Sequence, residues 1–244
     1  MATVLSVKQP YRIELWIGKE HKNAIGLWFP EWVDLYNSDP PATDHKARHW
    51  LWENQWSSKG GTLWSEQLLG QAAQMQRTVT QQEDRVDLEI ILQNIGDTSL
   101  SRIDQTTCLS LASVPDYRDP TGDRTYLVMD GELTPTSALN IEYEHAPGIA
   151  GAGMVGDPLP MKDGLKRLVT DGVFFVISQD RQSVLCHTCE PAVRFSYDRR
   201  PVVSCIHIQP MFDDVAPQEQ CVAKGTVFVV EASLEEAYER HKLS

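Results

Sequence analysis

A histidine and two aspartates follow one another closely where an apolar strand ends, in the segment 204–220. His207 lies between two isoleucines, and Asp213 and Asp214 come after the proline that breaks the strand. Histidine beside carboxylates can act as a general acid or base, because its pKa lies near neutrality and responds to neighbouring charges. We therefore predict His207 and Asp213 as catalytic residues. The alternative is structural: His207 would then hold the following turn by hydrogen bonds.

The N-terminal third contains every tryptophan of the chain: Trp16, Trp28, Trp32, Trp50, Trp52, Trp56 and Trp64. Flat aromatic rings stack on the apolar faces of sugars, but they also bury large areas in a core, so both uses are consistent with this distribution. Trp50 and Trp52 share one face of a strand and are predicted to bind the substrate. His49 points to the other face and is a further catalytic candidate, with simple packing as its alternative.

A charged segment at 115–126 connects two predicted strands. Arg118 and Arg124 lie here among three aspartates, and an arginine that carboxylates hold in place can present its fork of donors to ligand oxygens. The same charges could instead pair within the loop. The full predicted substrate-binding set is Arg124, Trp50, Trp52, Arg118 and Glu66.

The cysteines also admit a zinc site. Cys186 and Cys189 at i and i+3, followed by Cys205 and His207 at i and i+2, could supply four ligands. However, no turn glycine follows the first pair as in a zinc knuckle, and the second pair shares one strand face, which is common in ordinary cores. We therefore expect no metal and no cofactor, with a zinc-stabilised domain as the alternative.

The composition disfavours several classes of partner. The 244 residues carry a formal charge of −12, which argues against binding to nucleic acid or to an anionic membrane. No stretch approaches the roughly 20 apolar residues of a membrane span, and no signal peptide is visible. An odd number of cysteines favours reduced thiols, so we expect a cytoplasmic protein.

Motifs of several enzyme classes are missing from the chain. It has no phosphate-binding glycine loop, no G-x-S-x-G elbow and no H-E-x-x-H sequence. Nucleotide hydrolysis, serine-hydrolase chemistry and zinc proteolysis are therefore disfavoured.

Period-two patterns predict the strands that would position the candidate residues. Apolar and polar residues alternate from Val86 to Leu92, and a turn at 94–97 leads to a return strand. The strands predicted from such patterns are 86–92, 100–111, 174–178, 183–186, 202–208 and 226–230. Many short strands with frequent turns indicate an all-β fold, a large antiparallel β-sandwich in one domain spanning 1–244.

Helix signals are few. Ser233 and Glu236 form a capping box, which predicts a short C-terminal helix. The segment 63–75 is ambiguous, because its composition favours a helix but Gly70 interrupts it. The glycine-rich segment 145–164 is predicted to be a long loop.

Three stretches resemble the galactose mutarotase-like family, whose members fold into a large antiparallel sandwich and act on carbohydrates. Val86–Asp97 is similar to the family's central strand that ends in an asparagine and a turn, and Cys205–Phe212 to its late polar strand end. Asp214–Glu219 resembles the L-x-P-G-E turn before the closing strand, with Gln218 in place of glycine. The resemblance spans roughly residues 60 to 231 and implies a mutarotase-like supersandwich.

The same resemblance suggests a function. Family epimerases use a histidine and a late glutamate as acid and base at the anomeric centre of a sugar. His207 lies later in the chain than that histidine, and no glutamate matches the family base. We predict a protein that binds a small-molecule carbohydrate in the concave face of the sandwich, with epimerase or lyase chemistry. The alternative is a non-catalytic carbohydrate- or protein-binding module of the same fold; the oligomeric state stays open.

Overall fold

The computed structural model describes residues 3–9, 12–17, 24–37, 46–51, 55–141, 150–200 and 202–243. These residues form twenty strands, one α-helix and two short 3-10 helices at Pro115–Tyr117 and Thr136–Ala138. The elements in chain order are β1 (Thr3–Gln9), β2 (Arg12–Ile17), β3 (Ala24–Asn37), β4 (Lys46–Trp50), β5 (Ser57–Lys59), β6 (Thr62–Leu69), β7 (Ala73–Gln81), β8 (Val86–Asn94), β9 (Leu100–Ser110), β10 (Thr125–Met129), β11 (Glu132–Pro135), β12 (Ala150–Met154), β13 (Pro158–Pro160), β14 (Lys166–Leu168), β15 (Val173–Ile177), β16 (Val184–Thr188), β17 (Arg194–Asp198), β18 (Cys205–Gln209), β19 (Met211–Val215), β20 (Gln220–Val230) and α1 (Leu234–Lys242).

Two nine-stranded sheets contain most of these strands. The first sheet runs in the order β1-β2-β3-β9-β18-β17-β12, with β4 paired to β3 and β19 paired to β9. The second runs in the order β11-β10-β15-β16-β20-β8-β7-β6-β5, and β13 and β14 form a small third sheet. Neighbouring strands are antiparallel, for example β3 with β9 and β7 with β8. The predicted all-β antiparallel sandwich with a C-terminal helix is confirmed.

One apolar core lies between the two large sheets. Strand alternation decides which residues enter it: in β18, Ile206 and Ile208 are buried in this core, so Cys205 and His207 face away from it. In β8 the same alternation buries Val86 and every second residue after it. Each sheet therefore has an inner face in the core and an outer face on which polar side chains can gather.

The sequence predicts that the strand 100–111 returns beside the strand 86–92, but the structure does not pair them. Strands β8 and β9 both exist, but β8 lies between β7 and β20 in the second sheet, whereas β9 lies in the first sheet. A strand flanked on both sides has no free edge for its successor, so the turn at 95–99 carries the chain from one sheet to the other. By contrast, the predicted hairpin at 174–186 is confirmed as β15 and β16.

Asn94 supports this crossing. It is fully buried, and its Nδ2 donates to the carbonyls of Thr98 and Val215, each at 2.9 Å. Its backbone NH and carbonyl also bond to Glu219 and Gln218. Gln218 takes a φ of 67°, the left-handed conformation that favours glycine at this position of the family turn. Two of the three stretches that carry the family resemblance therefore meet at Asn94.

The C-terminal helix covers part of the second sheet's outer face. Ser233 Oγ accepts from the backbone NH of Glu236 at 3.2 Å, and the Glu236 side chain accepts from the Ser233 NH at 2.8 Å. Leu234 and Ala237 then pack on a small apolar cluster that includes Phe175. The capping box thus begins α1 where the sequence predicts it.

Two ambiguous or loop-like segments are strands in the structure. The segment 63–75 forms the hairpin of β6 and β7, and Gly70, with a φ of 62°, supplies the turn between them. The predicted long loop at 145–164 contains β12 and β13. Gly151 and Gly153 lie in β12 beside the rings of Tyr197 and Phe195, where a Cβ would come within 3 Å. Glycine here therefore permits close strand packing rather than loop freedom.

Candidate functional site

A row of four side chains crosses the outer face of the first sheet. The strand register places Trp28 of β3 opposite Cys108 of β9, Cys108 opposite His207 of β18, and His207 opposite Ser196 of β17. Directly opposed residues on one face lie close enough for their side chains to interact. Strands from three separate parts of the sequence thus bring an aromatic ring, a thiol, an imidazole and a hydroxyl together.

Cys205 extends this row into a compact cluster. It lies two residues before His207 on β18, on the same face. The ligand atoms of Cys108, Cys205 and His207 all lie within 4.8 Å of one another. A hydrogen bond of 2.9 Å joins His207 Nδ1 to Ser196 Oγ, which orients the ring. We call Cys108, Cys205 and His207 the thiol–imidazole cluster.

Mutual interactions shift the acidities within the thiol–imidazole cluster. A hydrogen bond from the Cys108 thiol, together with the charge of His207, outweighs burial and lowers the pKa of Cys205 to about 5. The same hydrogen bond and complete burial raise the pKa of Cys108 well above its ordinary value. Burial alone would lower the pKa of His207, but Cys205 and the nearby Glu31 and Asp198 carboxylates raise it. These shifts favour a thiolate on Cys205 and a protonated imidazole on His207.

Glu31 approaches the cluster from an irregularity in β3. The β3–β9 register places Trp28 opposite Cys108 but Trp32 opposite Thr106, so β3 contains two extra residues here. This bulge holds Glu31 close enough to interact with His207 and Cys205. Burial raises the pKa of Glu31, although the positive charges of His207 and Arg48 oppose the shift. Glu31 is therefore a stronger base than an exposed glutamate.

An arginine and two tryptophans form a layer beside Glu31. Arg48 binds Asp34 with two hydrogen bonds, Nε to Oδ1 and Nη2 to Oδ2, both 2.8 Å long. Its guanidinium carbon lies 4.2 Å from the ring centre of Trp32 and 5.3 Å from that of Trp50. The Asp34 carboxylate is fully buried, whereas Trp50 is 49% exposed. The ion pair of Arg48 and Asp34 thus holds in place an aromatic surface that is partly open to solvent.

A second ion pair continues this outer face along β9. Arg102 Nε lies 3.0 Å from Asp104 Oδ1, and the Tyr36 hydroxyl donates to Asp104 Oδ2 at 3.2 Å. Burial raises the pKa of Asp104, while Arg102 and Tyr36 oppose the shift. The face therefore presents charged and aromatic groups over several strand positions.

The predicted catalytic residues occupy three different places. His207 lies in the thiol–imidazole cluster. Asp213 is opposite Arg102 on β9, six residues from Cys108 and hence roughly 20 Å along the sheet, so the structure does not bring it next to His207. His49 is opposite Val33, a core residue, and therefore faces inward; burial lowers its pKa.

The predicted substrate-binding residues are also dispersed. Trp50 lies on the outer face described above, and Trp52 falls outside the described residues. Glu66 is exposed on the second sheet and accepts a hydrogen bond from Gln74. None of these placements tests a ligand contact, so each role stays a prediction.

Arg124 and Arg118 lie in the charged connection before β10. Arg124 Nη1 donates to the backbone carbonyls of Ile177 at 2.6 Å and Asp116 at 3.0 Å, and Nη2 donates to that of Arg118. Asp119 is buried and accepts from the Arg124 backbone NH at 2.8 Å. These bonds correspond to the loop network considered from the sequence, and contact of either arginine with a ligand stays a prediction.

The zinc alternative from the sequence combined cysteines that the structure separates. Cys186 packs beneath α1 on the outer face of the second sheet, and Cys189 belongs to the core between the sheets. Cys205 and His207 face outward from the first sheet instead. Among the described residues, the cysteine that lies beside Cys205 and His207 is Cys108, and not Cys186 or Cys189.

Sequence reasoning did not identify Cys108, Glu31 or Asp34. Cys108 belongs to no motif, and only the pairing of β9 with β18 places it beside His207. The one local signal was the Pro-Glu-Trp break within a tryptophan-rich strand, which marks the bulge that presents Glu31.

A second polar surface lies on the outer face of the second sheet. A groove of about 930 Å³ runs over β7, β8 and β20. Six of its ionisable side chains are paired with one another: Lys224 with Glu89 at 3.4 Å, Arg85 with Asp87 at 2.8 Å, and His241 with Asp171 at 2.9 Å. We place the candidate site on the first sheet, because there the pKa values of a thiol, an imidazole and a carboxyl group are perturbed together.

No protein-family model and no curated protein matches this chain. Solved structures do share its fold. A galactose mutarotase related enzyme from Lactobacillus acidophilus has a TM-score of 0.54 at 6% identity, over 95% of this chain and 98% of its own. A protein from Synechocystis sp. PCC 6803 has a TM-score of 0.52 at 10% identity, over 95% of this chain and 96% of its own.

A larger carbohydrate-active protein contains the same fold. The alpha-N-acetylgalactosaminidase NagBb from Bifidobacterium bifidum has a TM-score of 0.55 at 12% identity, over 99% of this chain but only 37% of its own. Identities this low show the fold alone. The chain therefore has a galactose mutarotase-like fold, one that carbohydrate-related proteins share. Among the described residues, no helix is long and apolar enough to cross a membrane.

Proposed function

We propose that the protein binds a sugar on the outer face of the first sheet and transfers protons at the sugar's anomeric centre. The observation that carries this proposal is the position of Glu31 beside His207, both with raised pKa values, next to exposed and half-buried tryptophans. A carboxylate and an imidazolium in one site supply a base and an acid at neutral pH.

The proposed chemistry interconverts the two anomers. Glu31 takes the proton of the anomeric hydroxyl while His207 gives a proton to the ring oxygen, and the bond between the anomeric carbon and the ring oxygen breaks. The sugar then closes on the other face of the carbonyl, and both protons return. Cys205 assists by keeping His207 protonated, because its negative charge stabilises the imidazolium.

The aromatic layer supports a sugar ligand. Trp50 is 49% exposed, and Trp32 lies opposite it across the strand pair. Sugars present apolar C–H faces that stack on such rings. Lyase chemistry on a uronic acid would require a cation to bind the carboxylate, but the charge of Arg48 is already offset by Asp34, which its Nε and Nη2 bind. The layer therefore favours epimerase over lyase chemistry.

A thermal-shift panel of monosaccharides, uronic acids and short oligosaccharides tests binding, with EDTA present. A ligand at 100 times its Kd stabilises the folded state by about 2.7 kcal/mol. Anomer exchange of each hit is then followed by nuclear magnetic resonance. We expect Glu31→Gln and His207→Gln to lower the exchange rate by about 10²- to 10⁴-fold.

Matched controls are available at the second groove. Glu89→Gln and His241→Gln change the same residue types beside the second groove and should leave the exchange rate unchanged. Equal losses in the control variants would move the site to the second sheet. Binding without exchange would support the non-catalytic module instead, and a panel without any hit would overturn the sugar proposal.

A further inference from the structure

The thiol–imidazole cluster has a composition that acid–base chemistry on a sugar does not require. Proton transfer needs His207 and a carboxylate, yet two cysteines converge on the same imidazole. Thiolates and imidazoles are the ligands that thiophilic divalent cations prefer in proteins. We propose that Cys108, Cys205 and His207 form a binding site for such a cation, Zn²⁺, with three protein ligands and one open position.

The distances fit a tetrahedral ion. Two thiolates bound to zinc at about 2.3 Å lie about 3.8 Å apart, and a thiolate and an imidazole nitrogen lie slightly closer. The three ligand atoms are already within 4.8 Å of one another. Binding therefore needs side-chain adjustments of about 1 Å, and adjacent paired strands hold the backbones in place.

The surroundings of His207 also suit a metal ligand. Histidine ligands usually have their second nitrogen held by a hydrogen-bonding partner. Ser196 Oγ holds His207 Nδ1 at 2.9 Å, which leaves Nε2 for the ion. Glu31, on the same face, is close enough to both Cys205 and His207 to interact with their charges, and it could stabilise a water molecule in the open position.

Binding changes the protonation of the cluster. The cysteines bind the ion as thiolates and His207 binds it as a neutral imidazole, so the protons that these groups carry are released to solvent. A His207 nitrogen bound to the metal can no longer donate a proton to a sugar. Zn²⁺ therefore inhibits anomer exchange. This consequence rests on the proposed function, whereas the binding itself does not.

Cobalt(II) is the probe for the test, used on the reduced full-length protein after EDTA has been removed. We expect a thiolate-to-cobalt charge-transfer band that saturates at one equivalent and that Zn²⁺ abolishes. Cys108→Ser and Cys205→Ser should each weaken this band, and His207→Gln should lower the affinity. Ser196→Ala should lower it by about 10-fold, the effect expected of a group that positions a ligand.

Cys221→Ser is the matched control, because Cys221 is half-buried on the second sheet, and it should leave the band unchanged. X-ray absorption of the zinc-bound wild type needs no variant and should show two sulfur ligands at about 2.3 Å and a nitrogen at about 2.0 Å. Oxygen-only coordination, or a band that survives both cluster substitutions, would overturn the proposal.

The two proposals can fail separately. Sugar binding and anomer exchange in EDTA without any cobalt band would leave the proposed function standing and remove the metal site. A cobalt band in a protein that binds no sugar would leave the metal site standing and remove the proposed function.

Discussion

At the scale of single residues, the chemistry of this protein depends on neighbours rather than on residue types. Cys205 and Cys221 are both cysteines, but burial raises the pKa of Cys221 to about 12, whereas Cys108 and His207 lower that of Cys205 to about 5. No sequence motif marks this difference. It arises because the Cys108 thiol donates to Cys205 beside the His207 imidazole, whereas burial dominates for Cys221.

The ultraviolet absorbance of the thiolate measures this difference directly. We expect the difference in absorbance between the wild type and Cys205→Ser to show one thiolate that forms with a midpoint near pH 5. Cys108→Ala should move the midpoint upward, because the hydrogen bond that stabilises the thiolate is lost. Cys221→Ser serves as the control and should not change the curve between pH 4 and 8. A midpoint near the ordinary thiol pKa of 9 in the wild type would contradict the assigned environment.

At the scale of elements, β16 carries an unusual residue into the core. His187 alternates with Cys186, which packs beneath α1, and so points toward the space between the sheets. It is fully buried, and burial lowers its pKa from 6.5 to about 4. The folded protein therefore keeps this imidazole neutral.

His187 should make stability depend on pH. Between pH 6.5 and 4 the unfolded chain binds a proton that the folded chain excludes, so the free energy of unfolding falls as the pH falls. At about 1.4 kcal/mol per pKa unit, the full loss is about 3 kcal/mol. Chemical denaturation of His187→Leu across this range should show a flatter pH dependence than the wild type. Cys221→Ser, which keeps His187 in place, should keep the wild-type slope, and equal slopes for wild type and His187→Leu would refute the explanation.

At the scale of the whole molecule, both large sheets contribute to one apolar core. Leu27 and Ile206 of the first sheet belong to the same cluster as Met75 and Leu88 of the second. The connection at 95–99 passes directly from one sheet to the other. Because of this shared core, we propose that residues 1–244 form a single domain, as the sequence predicts.

Cooperative unfolding tests the single domain. All seven tryptophans lie before residue 65, so their fluorescence reports on the N-terminal part, whereas far-ultraviolet circular dichroism reports on every strand. We expect the two signals to change at the same denaturant concentration, as in a two-state transition. Fluorescence that changes well before the dichroism would indicate two independently folding units.

Local patterns in the sequence were sufficient for the fold class and for many elements. Period-two alternation predicts β8 and the hairpin of β15 and β16, and the capping box of Ser233 and Glu236 predicts α1. Each of these patterns is complete within a few neighbouring residues, which is why one sequence reveals it. The turn motifs near Asn94 and Gln218 also carried the resemblance to the mutarotase-like fold. A histidine between isoleucines has a visible pattern, which is why the sequence offered His207 as a candidate; its catalytic role stays a prediction.

Only the tertiary structure decided which residues share the candidate site. Trp28 and Cys108 are far in the chain from each other and from the neighbouring pair Ser196 and His207, and the meeting of all four depends on the order and register of β3, β9, β18 and β17. A shift of one residue in any of these pairings would turn its side chains to the opposite face. That register is set by packing of the inner faces against the second sheet, a global property of the sandwich. The sequence by itself therefore determined the strands and the fold class, whereas the combination of thiols, imidazole and carboxylate was determined by long-range strand pairing.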